Sequence, residues 1–172
     1  MRSLVIVFLT ILITKTYAQS FATYRDTVNH FSIEIPVGWK YGLPKDYPSI
    51  KLMAYRTPIS PEDTSKDNFN LNIVVTPNSN LEETYPKFLE SLKSVENFKL
   101  VNAGDTSIDG RKFKWLIETH RYSSDNIQLH NYDFLTYQNG KTYIITFTTF
   151  SNRFNIIKPT FTEIATSFKL TK

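Results

Sequence analysis

Apolar and polar residues alternate through Phe31-Ser-Ile-Glu-Ile-Pro36, the period of a strand with one face buried. Pro36 ends that strand, and Val37-Gly38-Trp39 turns the chain so that an aromatic returns to the core. Ile50–Arg56 and Phe69–Thr76 read as two further strands. The stretch between them, Thr57–Asn68, carries two prolines and a polar second half, so it is a loop and the segment expected to be most mobile. The period then changes. Leu81, Tyr85, Phe88, Leu89 and Leu92 share one face of a helix, with Asn80 placed to cap it and Glu82 and Glu83 suited to the positive end of its dipole. Pro86 argues for a helix start nearer Thr84.

Phe98–Ile108 reads as a strand closed by a turn at Asp109-Gly110. Arg111–Tyr122, Ile127–Gln138 and Lys141–Phe150 follow, each rich in aromatic and β-branched residues. Asn139-Gly140 is a strong hairpin signal of the type I′ turn, and it pairs Gln138 with Lys141. That register sets Tyr132 opposite Phe147, Phe134 opposite Ile145 and Thr136 opposite Tyr143. Joining the first two strands through Ser123–Asn126 sets Ile117 opposite Tyr132 and Trp115 opposite Phe134. Phe113, Trp115, Ile117, Tyr132, Phe134, Tyr143, Ile145 and Phe147 then fall on one face. A slip of one residue would turn one strand's set to solvent, so this face is the expected core. Phe154, Ile157, Phe161, Ile164, Ala165 and Phe168 close the chain at mostly helical spacing, with Pro159 expected to kink that segment or mark where its regular helix begins, before a short tail at Lys169–Thr171. Strands, a helix, an antiparallel meander and a helix make an α+β domain, an antiparallel sheet with helices packed on it.

The N-terminus changes the picture of where this domain works. Met1-Arg2-Ser3, the apolar run Leu4–Ile13 and the close at Thr16-Tyr17-Ala18 have the layout of a secretory signal peptide, residues 1–18. The apolar run is about half of the roughly 20 residues a membrane span needs. An uncleaved anchor or a buried strand is the competing reading, and Lys15 is unusual so near a cleavage site. Export leaves residues 19–172 as a single domain, with periplasmic or secreted localisation and no transmembrane segment after cleavage. The chain has no cysteine, which excludes disulfides, thiol chemistry and a lipidated N-terminal cysteine. Without Arg2 and Lys15 the basic groups number 18 against 16 acidic ones, too even a balance for nucleic acid. A cysteine-free exported chain without an Asn-x-Ser/Thr sequon fits a bacterial source.

These landmarks resemble the PsbP-like superfamily, which includes PsbP, bacterial DcrB-type proteins and the Ran-binding Mog proteins. The residues that carry the resemblance are Phe31-Ser-Ile-Glu-Ile-Pro-Val-Gly-Trp39, Asn70-Leu-Asn-Ile-Val-Val75 before an acidic-capped helix, and Ile164-Ala-Thr-Ser-Phe168. The resemblance spans about Asp26–Leu170 and implies an α-β-α sandwich and a non-enzymatic accessory or assembly role. Photosynthetic members assist an oxygen-evolving centre with its calcium and manganese, but no ligand set of that kind stands in this sequence. Fold alone does not assign a function.

Chemistry is sparse. There is no Gly-x-Ser-x-Gly elbow and, with five glycines, no phosphate-cradling loop, so the chain reads as non-enzymatic and without a cofactor. The metal candidates are Glu118, His120 and His130, but the register pairs Thr119 with His130 and His120 with Leu129, which sends the two imidazoles to opposite faces. Glu118, Asn131, Asp133, Thr146 and Thr148 line the outer sheet face, where the alternatives are a calcium site, a solvated surface, or polar contacts to a helix lying across it. Trp39 and Trp115 could stack on sugars, yet they fall where the pattern wants core. Lys112, Lys114, Arg121 and Lys141 read as charges that keep strand edges from aggregating. The expectation is an exported accessory or binding module of the cell envelope that holds a protein partner or envelope component, with Thr57–Asn68 and the Ser123–Asn126 tip as its surfaces. The alternative is a carrier of a metal or small ligand on the outer sheet face.

Overall fold

A computed structural model describes residues 19–122 and 127–171; the signal-like segment and the Ser123–Asn126 tip lie outside the described residues. Among the described residues ten strands and two principal helices follow one another. The first five strands are β1 (Phe21–Asp26), β2 (Phe31–Pro36), β3 (Lys40–Gly42), β4 (Ile50–Tyr55) and β5 (Asn68–Val75). Helix α1 (Leu81–Leu92) leads into the meander β6 (Lys99–Ile108), β7 (Arg111–Tyr122), β8 (Ile127–Gln138) and β9 (Lys141–Phe150). A 3-10 turn at Ser151–Arg153 opens α2 (Phe154–Thr166), and β10 (Lys169–Leu170) ends the order. The larger sheet runs β3-β4-β5-β9-β8-β7-β6, antiparallel throughout; the smaller runs β1-β2-β10.

Local chemistry explains the meander. Asn139 and Gly140 both take positive φ (51° and 74°), the type I′ geometry whose twist matches the flanking strands. The expected register follows: Tyr132 pairs with Phe147, Phe134 with Ile145, Ile117 with Tyr132 and Trp115 with Phe134. Its even-numbered positions on β8 and odd-numbered ones on β7 and β9 extend across β5 and β4 as Phe69, Leu71, Ile73, Leu52 and Ala54, all buried. Phe154, Phe161, Ile164 and Ala165 of α2, together with Phe31, Ile33 and Ile35 of β2 and Phe168, close over this face as one core. Trp39 and Trp115 pack against the same core, as their positions in the pattern require.

The opposite face carries α1, which packs on β7 and β8. Asn80 caps it: its Oδ1 accepts the Glu83 backbone N–H at 3.0 Å while its Nδ2 donates to Glu83 Oε1 at 2.9 Å. The cap sets the start at Leu81, three residues earlier than Pro86 suggested. α2 likewise begins ahead of its proline, at Phe154, with Pro159 inside it. The two helices differ in depth. α2 buries four residues, whereas Thr84 is the only buried residue of α1 and the apolar stripe Leu81, Tyr85, Phe88, Leu89 and Leu92 is half-buried. The expected C-terminal tail is a strand: Leu170 pairs with Phe31, and the Thr171 N–H reaches His30 O at 2.8 Å.

Candidate functional site

Between α1 and the sheet lies a small polar seat. Leu116 and Leu135 are fully buried there, outside the main core cluster, and beside them stand Glu118 and Asp133, each only 1% exposed. Alternation puts all four on the outer face, because β7 turns its even positions and β8 its odd positions away from the core. His120, two residues along β7, brings Nδ1 to 3.0 and 3.1 Å from the Glu118 carboxylate oxygens. That hydrogen bond holds the imidazole pKa above its usual value, against the effect of burial.

Asp133 is differently placed. Its Oδ1 accepts from Thr146 Oγ1 at 2.6 Å, and its Oδ2 is buried with no hydrogen-bond partner. Burial pushes its carboxyl up to about 7, with the charge of Glu118 adding and the Thr146 bond and His120 opposing. Next to it Thr148 Oγ1 donates to Asn131 Oδ1 at 2.8 Å. The outer face thus has the polar residues read from the sequence, and α1 lies over part of them.

The three metal candidates do not meet. Glu118 and His120 share the outer face, while His130 points inward, its Nδ1 2.8 Å from Ser151 Oγ and its ring stacked on Phe154 at 4.6 Å. Burial lowers the His130 pKa. Among the described residues no three histidine or acidic side chains are grouped so that they could hold a metal ion. The basic group is partly committed: Lys114 Nζ binds Asp105 at 2.7 Å and Glu82 at 3.0 Å, tying β6 to α1.

The expected loop runs through Asp67, with Asn68 already in β5, and it is pinned. Asp63 takes two contacts from Arg56 Nη2, at 2.6 and 2.7 Å, and accepts the Ile59 N–H at 3.0 Å. Buried Asp67 accepts from Arg56 Nε at 2.9 Å, Thr149 Oγ1 at 2.6 Å and Arg153 Nη2 at 2.7 Å, fixing the loop's end to β9 and to the start of α2. The proline and polar pattern marked a loop; it gave no hint that its two aspartates face Arg56 and Arg153 across the fold.

Sequence reasoning also missed the outer end of the larger sheet. Tyr41 (57% exposed), Leu43 (64%) and Tyr55 (47%) surround a hollow of about 210 Å³ completed by Gly42, Pro44 and Met53. Tyr41 stands edge-on to Tyr24 at 5.6 Å, and Thr57 Oγ1 donates to Gly38 O at 2.7 Å, which brings the pinned loop alongside the preceding turn. A short apolar edge next to Gly-Leu-Pro was the available signal.

The fold defines an α-β-α sandwich: one helix on the outer face of a seven-stranded antiparallel sheet, the other helix and a small second sheet on the inner face. The chain belongs to the PsbP family, whose model matches residues 19–170. Solved structures agree at the level of fold. Cyanobacterial PsbP (CyanoP) from Synechocystis sp. PCC 6803 superposes with a TM-score of 0.65 at 19% identity, covering 91% of this chain and 96% of its own. LpqN, described as involved in cell envelope biogenesis of Mycobacterium tuberculosis, gives 0.61 at 10% identity over 89% and 91%. The Saccharomyces cerevisiae Ran-binding protein Mog1p gives 0.62 at 8% identity over 90% and 97%. No curated protein sequence matches the chain. No helix among the described residues is long and apolar enough to cross a membrane.

Proposed function

We propose that this protein is an exported, non-enzymatic accessory module of the cell envelope that docks a protein partner at the outer end of its larger sheet. The observation that carries the reading is the exposed rim of Tyr41, Leu43 and Tyr55 around its hollow. Tyrosines presenting an apolar ring and a polar tip at a shallow depression are the residues interfaces use as anchors. The turn Val37–Trp39 and the pinned loop that flanks it supply a preorganised border, which lowers the ordering cost of association. The signal-like N-terminus supports export, and the family and the envelope context named for LpqN support an accessory role.

A photo-crosslinking residue placed at Tyr41 or Tyr55 in cells that export the protein tests this directly. A discrete adduct from the rim, absent when the same group replaces exposed Lys87 on α1, is the expected result. No adduct from either rim position removes the docking surface. The carrier alternative predicts something else: calcium, manganese or zinc at about 100 times its dissociation constant would stabilise the fold by about 2.7 kcal/mol, a shift thermal denaturation resolves.

A further inference from the structure

The seat of α1 has an uneven count of charges. Two carboxyls, Glu118 and Asp133, are almost wholly withdrawn from water, and the cation beside them is His120, already bonded to Glu118. Lys114 is spent on Asp105 and Glu82. The other groups that bear on Asp133 are Thr146 from β9, through its hydroxyl, and Tyr85 from α1, whose phenol is close enough to feel the charges of Asp133, Asp105 and Lys114. Glu118 with a protonated His120 is neutral as a pair. An ionised Asp133 is then a buried charge with one oxygen unbonded, an arrangement a protein interior tolerates poorly. A neutral Asp133 removes that cost and can donate its own proton to Thr146 Oγ1 across the same 2.6 Å contact.

The element above is the one least able to absorb such a cost. α1 buries one residue fully and rests on Leu116 and Leu135 with a half-buried apolar stripe, so it can lift without opening the main core under α2. We propose that Asp133 is a proton-binding site built into the seat of α1: the helix is held closed over a neutral Asp133 and loosens from β7 and β8 as that proton is lost to solvent. The carboxyl pushed up to about 7 by burial agrees with this placement. The sign follows from linkage. A carboxyl whose value is raised in the closed state favours closure most at acid pH, and the advantage declines as pH climbs from about 4 to about 7, levelling off above. His120, raised by Glu118, adds in the same sense through its own range. His130 lies on the other face of the sheet and is lowered, so it opposes through α2 rather than α1.

Hydrogen exchange of the intact protein at pH 5 and pH 8, corrected for intrinsic exchange, tests the proposal. Amide protection in α1 is expected to fall at least about tenfold relative to β8 and β9 between those two conditions. The Asp133→Asn variant, which imitates the neutral acid, is expected to hold α1 protection constant. An unchanged α1 in the wild-type protein, or an equal fall in Asp133→Asn, overturns the proposal. A carbon-detected NMR titration of the wild-type Asp133 carboxyl needs no variant. A midpoint near 7 shared by α1 amide shifts supports the latch, and a midpoint near 4 overturns it.

Discussion

Asp67 accepts hydrogen bonds from Arg56, Arg153 and Thr149 while lying almost wholly out of water, and both arginines keep part of their surface exposed. Removing the carboxylate leaves two guanidinium groups facing each other across its place. Asp67→Ala is therefore expected to cost about 3 kcal/mol, the low end for breaking a buried pair because the arginines can turn to solvent; urea denaturation measures it. The pH dependence follows from the same contacts. Burial works to raise the Asp67 carboxyl, but Arg153, Thr149 and Arg56 outweigh it and hold it below the usual carboxylate range; Ser65, the Ile59 N–H and Arg56 hold Asp63 below as well. Depressed carboxyls contribute stability that is present above about pH 3.8 and is lost as pH falls through their lowered values. Acid denaturation of Asp67→Asn should show a shallower limb there than the parent; an identical limb would remove Asp67 from the account. At this scale the sequence was least informative. It named Glu118, Asn131, Asp133, Thr146 and Thr148 as outer-face residues and sent His120 and His130 to opposite faces, since alternation dictates both. That Asp133 would be sealed under α1, or that Asp63 and Asp67 would pin a loop, depends on contacts between elements distant in the chain, which no local pattern encodes.

Elements with a strong turn beside them were legible, and short ones without a turn were not. β7, β8 and β9 have the bounds expected from sequence because the Asn139-Gly140 and Asp109-Gly110 turns pin their registers. β1, β3 and β10 carry six, three and two residues with no clean alternation, and they exist because β2 and β4 offer them open edges. Gly104 of β6 pairs with Trp115 of β7, and a Cβ at that glycine would lie 2.8 Å from Trp115 Cζ2. The indole lies against the bare backbone and turns its other side edge-on to Tyr132 at 5.9 Å. Gly104→Ala forces the ring to move and disturbs that pair, for an expected loss of about 1–3 kcal/mol. A drop in thermal midpoint with an altered Trp115 fluorescence maximum would confirm the contact, while an unchanged midpoint would show that the ring yields freely.

At the scale of the molecule, the seven-stranded sheet is assembled from two pieces of different locality. β6 to β9 are joined in sequence order, each strand beside the next, whereas β5 reaches its partner β9 across α1 and three strands, pairing Asn68–Val75 with Lys141–Thr148. No turn signal announces that junction, which is why the sheet order came only with the structure even though the α+β class and the sandwich did not. Loop-closure entropy makes the distant pairing the slower step, so the meander should form first and β3-β4-β5 should dock on it late. Two matched substitutions test this. Ile145→Val in β9 and Ile73→Val in β5 each remove one buried methylene, worth about 1 kcal/mol. A contact present in the folding transition state slows refolding when weakened, and one formed afterwards speeds unfolding instead. Ile145→Val should slow refolding by about fivefold with little change in unfolding, while Ile73→Val should leave refolding unchanged and raise the unfolding rate by a similar factor. Equal partition of the two effects in stopped-flow chevrons would mean that the sheet closes as a single unit, with β5 already seated when the barrier is crossed.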